Sequence, residues 1–241
     1  MTPSLPVTPS LPVTPSPLRP APLRLVIFDC DGVLVDSEGP SARVTAREMT
    51  RLGWPMTADE AMARFTGLRL SDLPRLVAAQ TGRAPPEGWV EHLRSRLIAT
   101  LSAEAEAMPG AADVLQAAAA LGLPYRVASN SSHEEMAVKF ARTGLAPLVA
   151  GRTHSARDVA AGKPAPDVFL AAAAAEGVAP QACMVVEDSF PGIEAALAAG
   201  MACVGLDPHG SGEALRAAGA RPVRALSELP PLFQAAMRAA A

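Results

Sequence analysis

Lysine is nearly missing from this 241-residue chain. Of 21 basic side chains only Lys139 and Lys163 are lysines, and the rest are arginine. Aromatic residues make up 4%, with a single tyrosine. There is no basic surplus either: the formal net charge is −3 and no basic stripe occurs, which argues against nucleic acid as a partner. The three cysteines, Cys30, Cys183 and Cys203, show neither paired nor metal-binding spacing. They read as small buried hydrophobes in a reducing compartment. No apolar run reaches the roughly 18 residues of a membrane span, and the N-terminus lacks the charged-then-apolar order of a signal peptide. The expectation is a cytoplasmic protein with no membrane partner, a monomer or a weak dimer.

What is present suits a packed core. Hydrophobic residues make up 49% and charged residues 19%, in a length that fits one large domain or a domain with an insert. Residues 1–22 repeat TPSLPV and continue as TPSPLRPAP. Proline fixes φ and lacks an amide donor, so helix and central strand are excluded and a disordered or polyproline-like tail is expected. The tail is expected to take no part in the fold or the chemistry.

The stretch Leu25–Glu38, LVIFDCDGVLVDSE, organises the remainder. An apolar, strand-forming run delivers Asp29 and Asp31 at its C-terminal end, and Gly32 permits a sharp turn. That end of a buried strand is where open α/β sheets bind ligands. If the backbone stays extended, a period of two puts both carboxyl groups on one side. A divalent cation would relieve their repulsion. Taken alone, the pattern also fits a strand followed by an acidic capping turn.

From Gly39 to Met108 the pattern is helical, with four helices: one ending near Gly53, one near Gly67, one with Pro74 in its first turn, and one from Trp89 to Leu101. No convincing strand is read there. Beyond Pro109 strands and helices alternate. Strands are read at Tyr125–Ala128, weakly at Leu148–Ala150, at Ala182–Val186 and Cys203–Leu206, and briefly at Val223. Alternation implies a mostly parallel sheet covered on both faces.

Polar clusters recur at the strand ends. Ser129-Asn130-Ser131-Ser132 offers hydroxyls and backbone amides for phosphate oxygens, though Ser131 or Ser132 could equally cap the helix from His133. Lys163, in GKPAPD, is a compact ammonium in a chain that otherwise uses arginine, and it suits a carboxylate and a phosphoryl group together. Glu187-Asp188-Ser189 again places acids after an apolar strand.

In this order the segments resemble the four motifs of the haloacid dehalogenase (HAD) superfamily, over residues 24 to about 225. The resemblance implies a Rossmann-like α/β parallel-sheet core (23–38 and 109–241) with an inserted all-helical cap (39–108), of subfamily I with a C1 cap. It implies an Mg²⁺-dependent phosphomonoester hydrolase working through an aspartyl-phosphate on a small phosphorylated metabolite such as a sugar phosphate. Asp29 becomes the nucleophile and Asp31 the acid and base, with Ser129, Asn130 and Lys163 holding phosphate. Asp29, Asp31 and Asp188 would hold the metal with a backbone carbonyl, and Glu187 directly or through water. In the cap, Gly67 and Arg69 look like a substrate loop, or else a helix connection with a surface arginine. Asp31 argues against a dehalogenase, and a lysine-free cap excludes Schiff-base chemistry. β-Phosphoglucomutases open similarly but carry a histidine near the position of Ser41, so a phosphatase is preferred to a mutase. A phospho-ligand binding module without catalysis would have lost one of the four motif residues Asp29, Asp31, Lys163 and Asp188, and all are present.

Overall fold

The computed structural model describes residues 21–65 and 68–238. The tail up to residue 20 and the expected turn at Gly67 lie outside the described residues. The chain begins with β1 (Leu25–Phe28), whose side chains are all buried. β2 (Val35–Asp36) follows, and then α1 (Glu38–Arg51), α2 (Ala58–Phe65), α3 (Leu73–Thr81) and α4 (Trp89–Glu104). After these helices come β3 (Glu106–Ala107), α5 (Ala111–Ala120), β4 (Tyr125–Ser129), α6 (His133–Thr143), α7 (Ala146–Val149), β5 (Thr153–Ser155) and α8 (Asp167–Ala175). The last elements are β6 (Cys183–Glu187), α9 (Phe190–Ala198), β7 (Ala202–Leu206), α10 (Glu213–Ala217), β8 (Arg221–Val223) and α11 (Leu229–Arg238).

Six strands form a parallel sheet in the order β5-β4-β1-β6-β7-β8. Alternate residues face opposite layers, as a period of two requires. Val26, Phe28, Val127 and Val186 pack on one side with Val114, Leu115 and Phe233 of α5 and α11. Leu25, Ile27, Ala128 and Val185 pack on the other with Phe169 and Ile193 of α8 and α9. Because both faces are covered, the strands read as continuous apolar runs, not as an alternating pattern. Phe28 meets Tyr125 and Phe233 edge-on, each at 6.3 Å between centroids, geometry worth about 0.5–1.5 kcal/mol per pair beyond burial.

Between β2 and β3 the helices α1–α4 gather round their own cluster of Val44, Met49, Val77, Trp89 and Leu93. The expected helix with Pro74 in its first turn is α3, entered through a short 3₁₀ turn at Leu70–Asp72. Two features differ from the sequence reading. β2 and β3 pair antiparallel, Val35 opposite Ala107, as a ribbon at the base of the helical insert. Two residues per strand are too few to carry a period. The weak strand expected at Leu148–Ala150 is instead helix α7, with Pro147 in its first turn, and the strand comes later, at Thr153–Ser155. β5 is an edge strand whose residues are mostly half-exposed and polar, so it lacks the apolar run that marks its neighbours.

Candidate active site

β1 has β4 on one side and β6 on the other, so the ends of these three strands share one rim. A cavity of about 330 Å³ opens there. Asp29, Ser129, Lys163 and Asp188 line its floor, and Met62, Phe65 and Leu68 of the helical insert line the opposite wall. Asp29 and Asp31 both reach the cavity, while Cys30 between them is buried in the core.

Asp29 is buried, and its N–H donates to Val186 O at 2.9 Å, continuing the strand ladder. Lys163 Nζ donates to Asp29 Oδ1 at 2.6 Å, to Glu187 Oε1 at 2.8 Å and to Ala128 O at 3.0 Å. All three ammonium protons are therefore used. The ammonium also lies 4.7 Å from the centroid of the Phe169 ring. Burial works against the charged form, but the Asp29 and Glu187 carboxylates outweigh it and raise the pKa of Lys163.

Glu187 has no exposed surface. Its Oε2 accepts from the N–H of Asp188, the N–H of Ser189 and the Ser189 hydroxyl, each at 2.9 Å. A Cβ at Gly192 would fall 1.7 Å from Glu187 Oε1, so α9 can start here only with glycine at that position. Asp188 is the opposite case: among the described residues no hydrogen-bond donor supports its carboxylate. Burial, then Glu187, Asp29 and Glu38, push its pKa well up. Gly32 brings the first turn against it. Its φ is +74°, and a Cβ there would lie 1.9 Å from Asp188 Oδ2. Asp29 is likewise raised, to about 7, by burial first and by Glu187 and Asp31 after it, with Lys163 opposing.

Ligand oxygens of Asp29, Glu187 and Asp188 all lie within 4.8 Å of one another. An all-oxygen set, with one carboxylate free of donors and two pKa values pushed up by burial and then by mutual repulsion, fits a hard divalent cation. The two carboxylates with spare lone pairs are Asp29 and Asp188. Glu187 is committed to Lys163 and the turn, which favours support from behind over direct contact.

Asp31 is held apart from this cluster. It accepts from Lys139 Nζ at 2.6 and 2.8 Å, from Ser131 Oγ at 2.9 Å, from Ser129 Oγ at 3.3 Å, and from the Ser37 hydroxyl. Burial would raise its pKa, but the Lys139 ammonium and these hydroxyls outweigh that and lower it. Its side chain therefore stands outside the acidic cluster expected to hold the metal, because Lys139 already balances its charge.

Residues 23–200 match the family described as haloacid dehalogenase-like hydrolase. This chain belongs to that family. It is 30% identical to the 6-phosphogluconate phosphatase of Escherichia coli over 192 residues, 78% of this chain and 85% of that protein. It is 33% identical to hexitol phosphatase A of the same organism over 177 residues, 72% of this chain and 78% of that one. Among solved structures, a HAD family hydrolase from Deinococcus radiodurans with bound phosphate and sodium superposes with a TM-score of 0.73 at 34% identity, covering 90% of this chain and 97% of that one. The chain is an enzyme of the phosphatase group of this family.

Within this hydrolase the serine cluster divides its work. Ser132 is a cap: its hydroxyl accepts from Glu135 N–H, and the Glu135 carboxylate accepts from Ser132 N–H. Ser131 turns to Asp31 and Lys139 instead. Ser129 is buried beside Asp31. The Asn130 side chain clamps the Lys163 backbone, Oδ1 accepting at 2.9 Å and Nδ2 donating at 3.4 Å, which leaves only its backbone amide to face a ligand. Arg69 lines the cavity and pairs with Asp72 at 3.3 Å. The sequence reading missed Lys139, although the scarcity that singled out Lys163 applied to it equally. It also stands in the buried stripe Glu135, Met136, Lys139, Phe140 of α6, at helical spacing.

Proposed function

We propose that this phosphatase is an Mg²⁺-dependent phosphomonoesterase that forms an aspartyl-phosphate on Asp29. The observation that supports it best is the state of that carboxylate: Oδ1 is fixed by Lys163, while no described side chain donates to Oδ2. An acid pinned by one oxygen at the floor of a cavity, with the other free, is arranged as a nucleophile. Oδ2 attacks phosphorus as the bond to the departing oxygen breaks. Asp31, which the negative charge of the bound phosphate must keep protonated against the pull of Lys139, gives its proton to that oxygen, so an alcohol leaves. In the second step Asp31, now a carboxylate, takes a proton from water, whose oxygen attacks the aspartyl-phosphate. Inorganic phosphate leaves, and both acids return to their starting states. The Lys163 ammonium, its protons held by Asp29, Glu187 and Ala128 O, supplies positive charge beside the transferring oxygens, and the Ser129 hydroxyl, held to Asp31 only at 3.3 Å, turns to one of them. Asp29 and Asp188 would hold Mg²⁺ with one main-chain carbonyl, which we assign to Asp31. The bound ion supplies positive charge that shields Asp29 from the anionic phosphate.

The helical insert 39–108 acts as a cap over the core of 23–38 and 109–241. The position expected to carry a histidine in a mutase, Ser41, lines the cavity and offers only a hydroxyl, so water and not a second sugar hydroxyl takes the phosphoryl group. The relatives that act on 6-phosphogluconate and hexitol phosphates point to a sugar or polyol phosphate. The test is a phosphate-release screen over sugar, polyol and nucleoside phosphates, with Mg²⁺ and with EDTA, beside Asp29→Asn. Release from a few esters, lost in EDTA and in the variant, is expected. No release from any of them would end the phosphatase reading.

A further inference from the structure

We propose that Lys139 is a positioning residue for the acid–base step: it holds the Asp31 carboxyl group in the one orientation from which it can reach the departing oxygen. This rests on the phosphatase reading above and deepens it. The observation is a closed set of contacts. Lys139 is almost fully buried, and its three ammonium protons go to Asp31 Oδ1, Asp31 Oδ2 and Ser131 Oγ, at 2.6, 2.8 and 2.9 Å. Ser131 Oγ accepts from Lys139 and donates its own hydrogen bond to Asp31 Oδ2, so lysine, hydroxyl and acid form a ring. Ser155 fixes this serine in turn, donating to its main-chain carbonyl at 2.8 Å. From the other side the Ser37 hydroxyl, at the head of α1, donates to Oδ1. Asp31 therefore has no rotamer freedom left, although its side chain keeps 32% of its surface open to the cavity.

Stability does not account for the charge. The neighbours of Lys139 on the buried face of α6 are Met136, Phe140 and Glu135, and Glu135 already caps α6 through Ser132 and meets Arg94. A buried ion pair replaced as a whole by apolar side chains is commonly matched or bettered in stability, so the fold alone does not call for a lysine and an acid here. What the ammonium adds is direction, and it adds it to the side chain whose proton the leaving group needs. The chain's two lysines thus divide the two acids of the first motif, Lys163 on Asp29 and Lys139 on Asp31.

Leaving groups separate positioning from a structural role. The departing oxygen of a sugar phosphate is a poor leaving group without a proton. That of p-nitrophenyl phosphate leaves as a stable anion. kcat/KM covers the steps up to release of the alcohol, so it reads the acid role alone, whereas kcat also contains the water step. In Lys139→Met, kcat/KM for a sugar phosphate that the native enzyme hydrolyses should fall by about 10²–10³-fold, and for p-nitrophenyl phosphate by less than about tenfold. Ser131→Ala, which opens the ring without removing a buried charge, should show the same bias at about tenfold, and it carries the test if the methionine variant does not fold. Equal losses on both esters in a folded variant would overturn the proposal and leave the phosphatase reading intact. A native enzyme that releases phosphate from neither ester would overturn the reading itself, and the role of Lys139 with it.

Discussion

The two walls of the cavity are built on different principles. On the sheet rim the two lysines and three of the acids hold one another in place: Lys163 joins Asp29 to Glu187, Lys139 holds Asp31, and Glu187 is tied down by three donors. The cap wall is mostly apolar, with Met62, Phe65 and Leu68, and its one arginine is more than half exposed beside an exposed aspartate. A rim of this kind fixes which bond is broken. A wall of this kind chooses among molecules that carry the bond. Changes at Asp29 and Lys163 on the rim should therefore affect every substrate alike, changes around Asp31 should follow the leaving group, and changes on the cap should alter the ranking of substrates that share a leaving-group type.

The largest effect is expected at Asp29. Asp29→Asn should keep the fold and lower kcat on the order of 10⁴–10⁶-fold for every ester, read by phosphate release. The uniformity matters as much as the size: a variant that spared one substrate would place the nucleophile elsewhere. Lys163→Met comes next, with kcat down about 10²–10³-fold. It should also destabilise the protein by about 3–5 kcal/mol in urea unfolding, because Asp29 and Glu187 lose a shared, buried partner. A loss of activity with unchanged stability would mean that the two carboxylates relax without the lysine.

Lys163 was legible in the sequence because a rare residue stood in a recognisable string; Lys139 was not, since nothing in the string around it marks a contact with an acid 108 positions earlier. The same division runs through the fold. β1 and β6 announce themselves as apolar runs because the sheet buries both their faces, whereas β5, at the edge, is a polar triplet that only its pairing with β4 makes a strand. Roles within SNSS needed coordinates too. Four polar residues in a row can cap, bind or brace, and only three-dimensional neighbours show that Ser132 caps while Ser131 braces Asp31.

A smaller effect sharpens the rim's dependence on metal. Without a cation Asp29 titrates near 7, against an ordinary value of 3.8. Its folded pKa is raised, so its contribution to stability is full below about 3.8 and is lost as pH climbs through 7. A divalent cation replaces the proton and restores what was lost. Adding Mg²⁺ to protein first stripped with EDTA should therefore raise the melting temperature more at pH 8 than at pH 5.5. The apparent Kd should weaken by up to about tenfold per unit as pH falls below 7. Equal shifts at both pH values would show that Asp29 does not take part in binding the ion.

The smallest effect belongs to the cap, and there its distribution decides the question. Arg69 spends Nε on Asp72 and keeps its two terminal nitrogens for a ligand. The pair is exposed on both sides, so Arg69→Ala should leave the melting temperature within error. If the guanidinium receives the far end of the substrate, a carboxylate such as that of 6-phosphogluconate gains a charge-assisted bond that a neutral hexitol phosphate cannot make. Deleting the side chain should then lower kcat/KM about tenfold for the acid sugar and less than about twofold for the polyol. An equal loss on both would assign Arg69 to the shape of the loop. No loss on either would leave substrate choice to the apolar wall, where Met62→Ala should then relax the preference for chain length.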